Sequence, residues 1–384
     1  MNSFRCELGG VDAIFGAGEL ERLGELATGL GLRRVLLVTD PGLLATGHPQ
    51  RAKQLLEAAG VGVTVFAEAA ENPTTREVEA GAAVALDVQV DGLVAIGGGS
   101  VLDTARGVNF LLSGGGRMED YWGPDNPARL AGKTMLPMIG IPTTAGTGSE
   151  AQRFALISQA DTHAKMACGD RRARFRRVIL DPALLASAPR QVAALAGIDA
   201  ISHAVESFVS TAASPFSRLL AEGAWTRLEA AFLPHLEDPA APAPAAGMML
   251  GAHLAGAAIE ASMLGAAHAC ANPLTATFGT RHGAAVALML PHVVRLNAET
   301  AAPFYARLAE AAGLAGIDAL VARLTLMRRE AGLPATLGEL GIPEGELPAL
   351  AAVAARQWTA RFNPRPVAEA DLLGLYRRAY SEAA

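Results

Sequence analysis

The first half of the chain alternates short, uninterrupted apolar runs with longer stretches in which apolar residues recur every three or four positions. The runs are Arg34–Asp40 (RVLLVTD), Val61–Ala67 (VGVTVFA), Gly92–Ile96 (GLVAI), Met135–Ile141 (MLPMIGI) and Val178–Asp181. A strand covered on both faces has no side to leave polar, so these runs predict buried parallel strands. Between them, Glu19–Ala27, Pro49–Ala59 and Thr75–Leu86 carry helical spacing, which gives the β-α-β rhythm of an α/β domain. Beyond Asp181-Pro182 the strand-like runs stop and Ala/Leu-rich helical patterns continue to the end. The pattern therefore predicts an α/β nucleotide-binding domain over 1–182 and an all-α domain over 183–384. The Pro/Ala-rich Asp238–Gly247 reads as a loop between helices, because helical texture resumes after it. The most apolar stretch, Met248–Cys270, contains His253, Glu260 and His268 and reads as one buried helix, since intramembrane charge is costly.

Two glycine-containing segments follow predicted strands. In GLVAIGGGSVLDTAR, Gly97, Gly98 and Gly99 allow close backbone approach. Ser100 and Asp103 have the spacing of a capping box opening a helix, and free N–H groups at such a helix start form an anion site. IGIPTTAGTGSE repeats the logic: Thr143, Thr144 and Thr147 offer hydroxyls, and Thr147 and Glu150 form a second S/T-x-x-E pattern. Two such segments at neighbouring strand ends suit a dinucleotide. Asp40, ending its strand, suits a ribose hydroxyl and repels a 2′-phosphate, which favours NAD over NADP; a turn cap is the equally good structural reading.

The second half carries a different chemistry. Asp199 and His203 lie four apart in GIDAISHAVES, on one helix face. His268 and His282 follow in a stretch almost devoid of charge. One carboxylate and three imidazoles, if they converge, suit Fe²⁺, Zn²⁺ or a similar divalent ion and leave room for a substrate oxygen.

Composition narrows the setting. With 384 residues, half of them hydrophobic, the chain has material for two cores, and a net charge of −6 argues against a generic nucleic-acid binder. Three scattered cysteines form neither a disulfide framework nor a Cys-based zinc site. With no leader-like pattern in MNSFRCELGG and no predicted span, the expectation is a cytoplasmic protein without membrane contact.

The motifs GGGSVLDTAR, PTTAGTGSE, LDPALLASAP, GIDAISHAVES, LGAAH, RHGAAVALMLPHVVRLN and FNPRPV occur in an order and spacing that resemble the iron-containing (group III) alcohol dehydrogenases, of the dehydroquinate synthase-like superfamily. The resemblance runs nearly end to end. It implies NAD(P) and a metal in a cleft between the two domains, with Asp199, His203, His268 and His282 as metal ligands. It implies cofactor contacts from Asp40, Asn72, Gly97 to Ser100, Thr144, Thr147 and Lys165, and a homodimer or larger homo-oligomer. The implied chemistry is hydride transfer between a nicotinamide and a small alcohol, aldehyde or ketone polarised by the metal. A lyase or cyclase of the dehydroquinate synthase kind, and a catalytically silent nucleotide- or metal-binding homologue, are the alternatives. The apolar surroundings of His268 offer few cations for the former, and the intact ligand set argues against the latter.

The chain departs from the family pattern in places. Four residues after His268 the family usually carries a histidine that helps relay protons; here stands Asn272, whose amide cannot titrate. Glu260, eight residues before His268, would fall roughly on the same face of a continuous helix and is a candidate relay or pocket carboxylate. Phe154 and Ile259 are pocket candidates beside it. Arg106 replaces a common lysine, and Arg171–Arg177 (RRARFRR) is a basic run that reads by default as a solvated loop, with attraction of an anionic substrate or a subunit contact as the alternatives. Cys270 reads as core packing, and His48, His163, His235, His253 and His292 as structural.

Overall fold

The computed structural model describes residues 3–124, 130, 132–162 and 164–381; His163 lies outside them. The chain divides into two compact units, Met1–Thr144 with Ser149–Ala188, and Ala145–Gly148 with Pro189–Ala384. The segment 145–148 thus leaves the first unit and joins the second, which a single break near 182 did not anticipate.

The first unit is built on a seven-stranded sheet of β1 (Phe4–Leu8), β2 (Val11–Phe15), β3 (Arg34–Val38), β4 (Gly62–Phe66), β5 (Gly92–Gly97), β7 (Met138–Pro142) and β10 (Arg177–Leu180). Their spatial order is β1-β2-β10-β7-β5-β3-β4, parallel except for the β1–β2 hairpin. β5 and β7 are buried throughout, as uninterrupted apolar runs require. The hairpin β1–β2 alternates too weakly to have been recognised. A second sheet of β6 (Gly123–Pro124), β8 (Phe154–Ser158) and β9 (Lys165–Gly169) was also missed. Helices α1 (Leu23–Gly29), α2 (Pro41–Leu44), α3 (His48–Ala58), α4 (Thr75–Asp87) and α5 (Gly99–Gly114) connect the strands.

Chain order reverses its direction across the sheet between β3 and β5, because β4 adds on one side of β3 and β5, β7 and β10 on the other. Ligands of open α/β sheets bind at the carboxyl ends of strands at such a switch point. Asp40 and the Gly97–Ser100 turn follow β3 and β5 there.

The second unit is helical among the described residues: α6 (Arg190–Val209), α7 (Pro215–Glu237), α8 (Pro242–Ser262), α9 (Ala266–Phe278), α10 (His282–Asn297), α11 (Ala302–Ala311), α12 (Ile317–Glu330), α13 (Leu347–Ala354) and α14 (Glu369–Ser381). α6 is long and apolar enough to pass for a membrane span. It is instead the central helix, packed on α7, α8 and α10, and it buries Asp199, His203 and Glu206. The helix expected over Met248–Cys270 is in fact two, α8 and α9, meeting at a bend of 102°. Met263, with φ of 66°, sits in the left-handed region at the break. Asp238–Gly247 is only partly loop, since α8 begins at Pro242. Gly148 is required for two reasons. Its φ is +58°, and a Cβ there would stand 2.5 Å from Gly256 Cα of α8.

Candidate metal centre and nucleotide site

At the carboxyl end of β5, α5 opens with Gly98 as N-cap and no side-chain cap. This corrects the expected capping box. Ser100 lies inside the first turn, and its Oγ accepts from the Asn72 N–H at 3.4 Å. Asp103 points into the protein, where it accepts from Arg106 Nη1 (3.1 Å), Ser149 Oγ (2.6 Å) and Leu156 N–H (3.2 Å). A group whose oxygens are spent this way ties β8 to α5 and is not placed to hold a cofactor. Burial raises its pKa, against the lowering by Arg106. An uncapped helix start leaves backbone N–H groups for a phosphate. Gly98 has an ordinary φ of −75°, so what it provides is room: a Cβ would stand 3.4 Å from Thr144 Oγ1.

The second predicted cap is also corrected. No α-helix opens after Thr147; Ser149–Ala151 form one 3-10 turn leading to β8. Thr143, through its N–H to Gly97 O (2.9 Å), joins the β5 and β7 ends. Thr144 thus belongs to the same edge, while Thr147 falls in the second unit. Asp40 caps α2, its Oδ1 accepting from the Leu43 N–H at 2.9 Å, and the strand before it ends at Val38. Asn72 adopts φ of 54°, next to Thr74, which bridges to Ser158. Lys165 pairs with Ser158 in β8–β9. Asp40, Asn72, the Gly97–Ser100 turn, Thr143 and Thr144 therefore cluster around strand ends of one unit, with Lys165 linked to them through β8.

Arg106 explains its own departure from lysine. Fully buried, it donates from Nε to Ala173 O (3.0 Å), from Nη2 to Ser149 O (2.9 Å) and Gln152 O (3.1 Å), and from Nη1 to Ser149 Oγ and Phe154 O as well as to Asp103. Its guanidinium stacks 4.9 Å from the Phe175 ring centroid. An ammonium cannot make this set. The basic run is partly spent internally too: Arg172 pairs with Asp170 at 2.7 Å and Arg177 with Asp12 at 2.5 Å.

In the second unit the four expected ligands converge. Asp199 Oδ1 lies 3.4 Å from His203 Nε2, 3.5 Å from His268 Nε2 and 3.8 Å from His282 Nε2. Donor atoms of Asp199, His268 and His282 all fall within 4.8 Å of one another. His203 stacks on His268 with ring centroids 4.9 Å apart. Asp199 and His203 share a face of α6, His268 stands in the first turn of α9, and His282 begins α10. Asp199 Oδ1 and His268 Nε2 are buried without a hydrogen-bond partner, and 3.5 Å is too long to count as one. Two buried polar atoms without a partner, aimed at one point, fit a shared cation.

The four groups are also coupled electrostatically. Burial pushes the Asp199 carboxyl up, but His203, His268 and His282 outweigh it and hold it below the ordinary range. Burial lowers His203 to about 4. Burial also opposes charge on His268, but Asp199 and Glu206 outweigh it and raise the imidazole to about 9.

Glu206 was missed by sequence reasoning. Its Oε2 is 2.5 Å from His268 Nδ1, on the ring edge opposite Asp199. Its place in GIDAISHAVES, three after His203 and seven after Asp199, is helical spacing that could have found it.

The other candidates scatter. Glu260 lies in the last turn of α8 and His268 in the first turn of α9, so the shared face expected of them does not exist across the bend. Asn272 is one turn beyond His268 on the same helix, where its Nδ2 donates to Gln357 Oε1 at 3.2 Å. Phe154 belongs to the first unit, its ring filling the space over Gly169; Ile259 is buried in α8 of the second. The Cys270 thiol is buried and pushed up by burial, as expected of core packing.

Comparison with known proteins relates both units to one family. A family profile described as "Iron-containing alcohol dehydrogenase" matches residues 11–182, and one described as "Fe-containing alcohol dehydrogenase family, C-terminal" matches 193–380. The chain is 30% identical to "Alcohol dehydrogenase 4" of Saccharomyces cerevisiae, over 96% of each chain. It is 28% identical to the "NAD-dependent methanol dehydrogenase" of Bacillus methanolicus, over 96% of this chain and 97% of that one. Among solved structures, a 1,3-propanediol oxidoreductase superposes with a TM-score of 0.92 at 29% identity, covering 99% of both chains.

Proposed function

The chain belongs to the iron-containing alcohol dehydrogenase family, and from that premise we propose how its own residues divide the work of an NAD-linked alcohol and aldehyde oxidoreductase. The observation that carries the reading is the convergence of three imidazole Nε2 atoms within 3.4–3.8 Å of Asp199 Oδ1. We assign Asp199, His203, His268 and His282 to one divalent ion, iron first and zinc second. Bound there, the ion would supply Lewis acidity to a substrate oxygen, while the nicotinamide takes or returns the hydride.

The remaining work belongs to the protein. The α5 start and Thr144 would receive the pyrophosphate, Asn72 and Lys165 would line its path, and the Asp40 carboxylate would select NAD over NADP. Asn272 and Gln357 neither hold nor release a proton near neutral pH. A substrate proton must leave by another route, and the amide groups not spent on the Asn272–Gln357 bond would bind a substrate hydroxyl. We therefore assign the substrate to short polar alcohols, such as diols, and their aldehydes. We also propose a cytoplasmic homo-oligomer, with Cys168 and Cys270 as buried free thiols and Phe216 and Leu219 as exposed apolar surface.

Elemental analysis of the purified protein, with NAD⁺ reduction measured over monoalcohols and diols, tests the reading. Iron or zinc at one per chain with turnover of diols is the expected result. No metal, and no turnover after reconstitution with either ion, would overturn it.

A further inference from the structure

A helix leaves its first N–H groups without partners inside the helix. In α9 those groups are taken by side chains from elsewhere in the unit. The Ala266 N–H donates to Asn363 Oδ1 (3.3 Å), the Ala267 N–H to Glu206 Oε1 (2.7 Å) and the His268 N–H to Glu206 Oε2 (3.4 Å). Gly265 is the N-cap because a Cβ there would meet Glu206 Oε1 at 2.9 Å and Asn363 Oδ1 at 3.2 Å. Asn363 is itself fixed. It exchanges amide hydrogen bonds with Asn297 of α10 at 2.9 and 2.8 Å, and donates to Arg365 O at 2.6 Å. Glu206, Asn297 and Asn363 are all buried. The FNPRPV segment, which the functional reading above leaves without a task, thus ends on the helix start that carries His268.

The same carboxylate decides the orientation of the His268 ring. Glu206 Oε2 accepts from His268 Nδ1, which fixes that hydrogen and makes Nε2, facing Asp199, the nitrogen whose proton a metal ion would displace. A glutamate has two acceptor oxygens for the donors in front of it. A glutamine has one, and its NH₂ would oppose an N–H.

We propose that Glu206 and Asn363 are positioning residues that aim the His268 Nε2 lone pair at the metal, Glu206 by fixing the ring and Asn363 by fixing the helix start. The proposal rests on the metal assignment above. Competition with a chelator for Zn²⁺ or Fe²⁺ measures it, together with thermal unfolding of the metal-free protein. Tyr376→Phe is the control: it removes a 2.7 Å bond to Cys270 O on the same helix without touching the helix start or the His268 ring. Glu206→Gln should weaken metal binding by about 10- to 100-fold, and Asn363→Ala by about tenfold. Tyr376→Phe should lower the metal-free melting temperature as Asn363→Ala does, yet leave metal binding unchanged. A shift of the ligand-field bands of Co²⁺ bound to Glu206→Gln, absent in Tyr376→Phe, would support the same conclusion. If Glu206→Gln does not fold, the pair Asn363→Ala and Tyr376→Phe carries the test. Equal metal affinity in wild type and Asn363→Ala, or equal weakening in Asn363→Ala and Tyr376→Phe, would overturn the proposal. A wild type that binds no metal would instead overturn the assignment on which it rests.

Discussion

Asn272 Nδ2 donates to Gln357 Oε1 at 3.2 Å, so two amides face each other one helical turn beyond His268. Installing an imidazole there, with an ordinary pKa of about 6.5, changes both proton handling and hydrogen bonding. Asn272→His should add an ionisation between about pH 6 and 7 to the kcat profile. It should also lower the preference for a diol over the matching monoalcohol by about tenfold, the worth of one hydrogen bond. An unchanged profile and an unchanged preference would remove Asn272 from the substrate site.

Asp40 both caps α2 and carries the charge proposed to exclude a 2′-phosphate. The two roles separate by substitution. Asn keeps a capping oxygen and removes the charge, so Asp40→Asn should raise the NADP⁺ to NAD⁺ ratio of kcat/KM by roughly tenfold with little change in stability. Asp40→Ala should add a loss of about 1 kcal/mol. A ratio that does not move in either variant would leave Asp40 as a cap alone.

Arg106 holds the 149–154 segment and Asp103 through one buried guanidinium. Arg106→Lys keeps the charge but loses most of these bonds, and should cost about 3–5 kcal/mol, the range for breaking a buried charged network. Denaturant unfolding followed by circular dichroism reads this directly. A loss below about 1 kcal/mol would mean that the network is not what secures β8 to α5.

His292 is buried beside Arg328, Arg378 and Arg295, and burial, then these charges, lower its pKa from 6.5 to about 4. The unfolded chain therefore binds a proton between these values that the folded protein does not. The His292 contribution should be complete above about pH 6.5 and fall as the pH drops toward 4, by up to about 1.4 kcal/mol per pH unit. Urea midpoints across this window should fall less steeply in His292→Gln. Parallel slopes for wild type and variant would show that His292 does not set the acid limb.

The sequence made the core of each unit legible because burial on both faces leaves a plain apolar record, as in β5 and β7. The four metal-site residues were equally visible, since imidazoles and a carboxylate in apolar helices have few other uses. What the sequence hid were relationships set by tertiary approach. Ser100 and Asp103 have capping spacing, yet Gly98 ends the turn and Arg106 claims Asp103. Glu206 looked like one more polar helix residue until α9 brought His268 against it. Asn363 is 66 positions from Asn297 and 97 from Ala266, and no local pattern reports a bond at that distance. Glu260 failed for a different reason: an apolar stretch without proline gave no sign that the chain turns at Met263.

The bend between α8 and α9 also separates two rotational registers. Along one continuous helix, every residue added or lost ahead of His268 would swing its ring by about 100° around the axis. With the chain broken at 263–265 and α9 anchored at its own start, a residue gained or lost at the end of α8 does not by itself rotate His268. A change in α8 that keeps its close approach to Gly148 therefore leaves the aim of His268 to the residues that anchor α9.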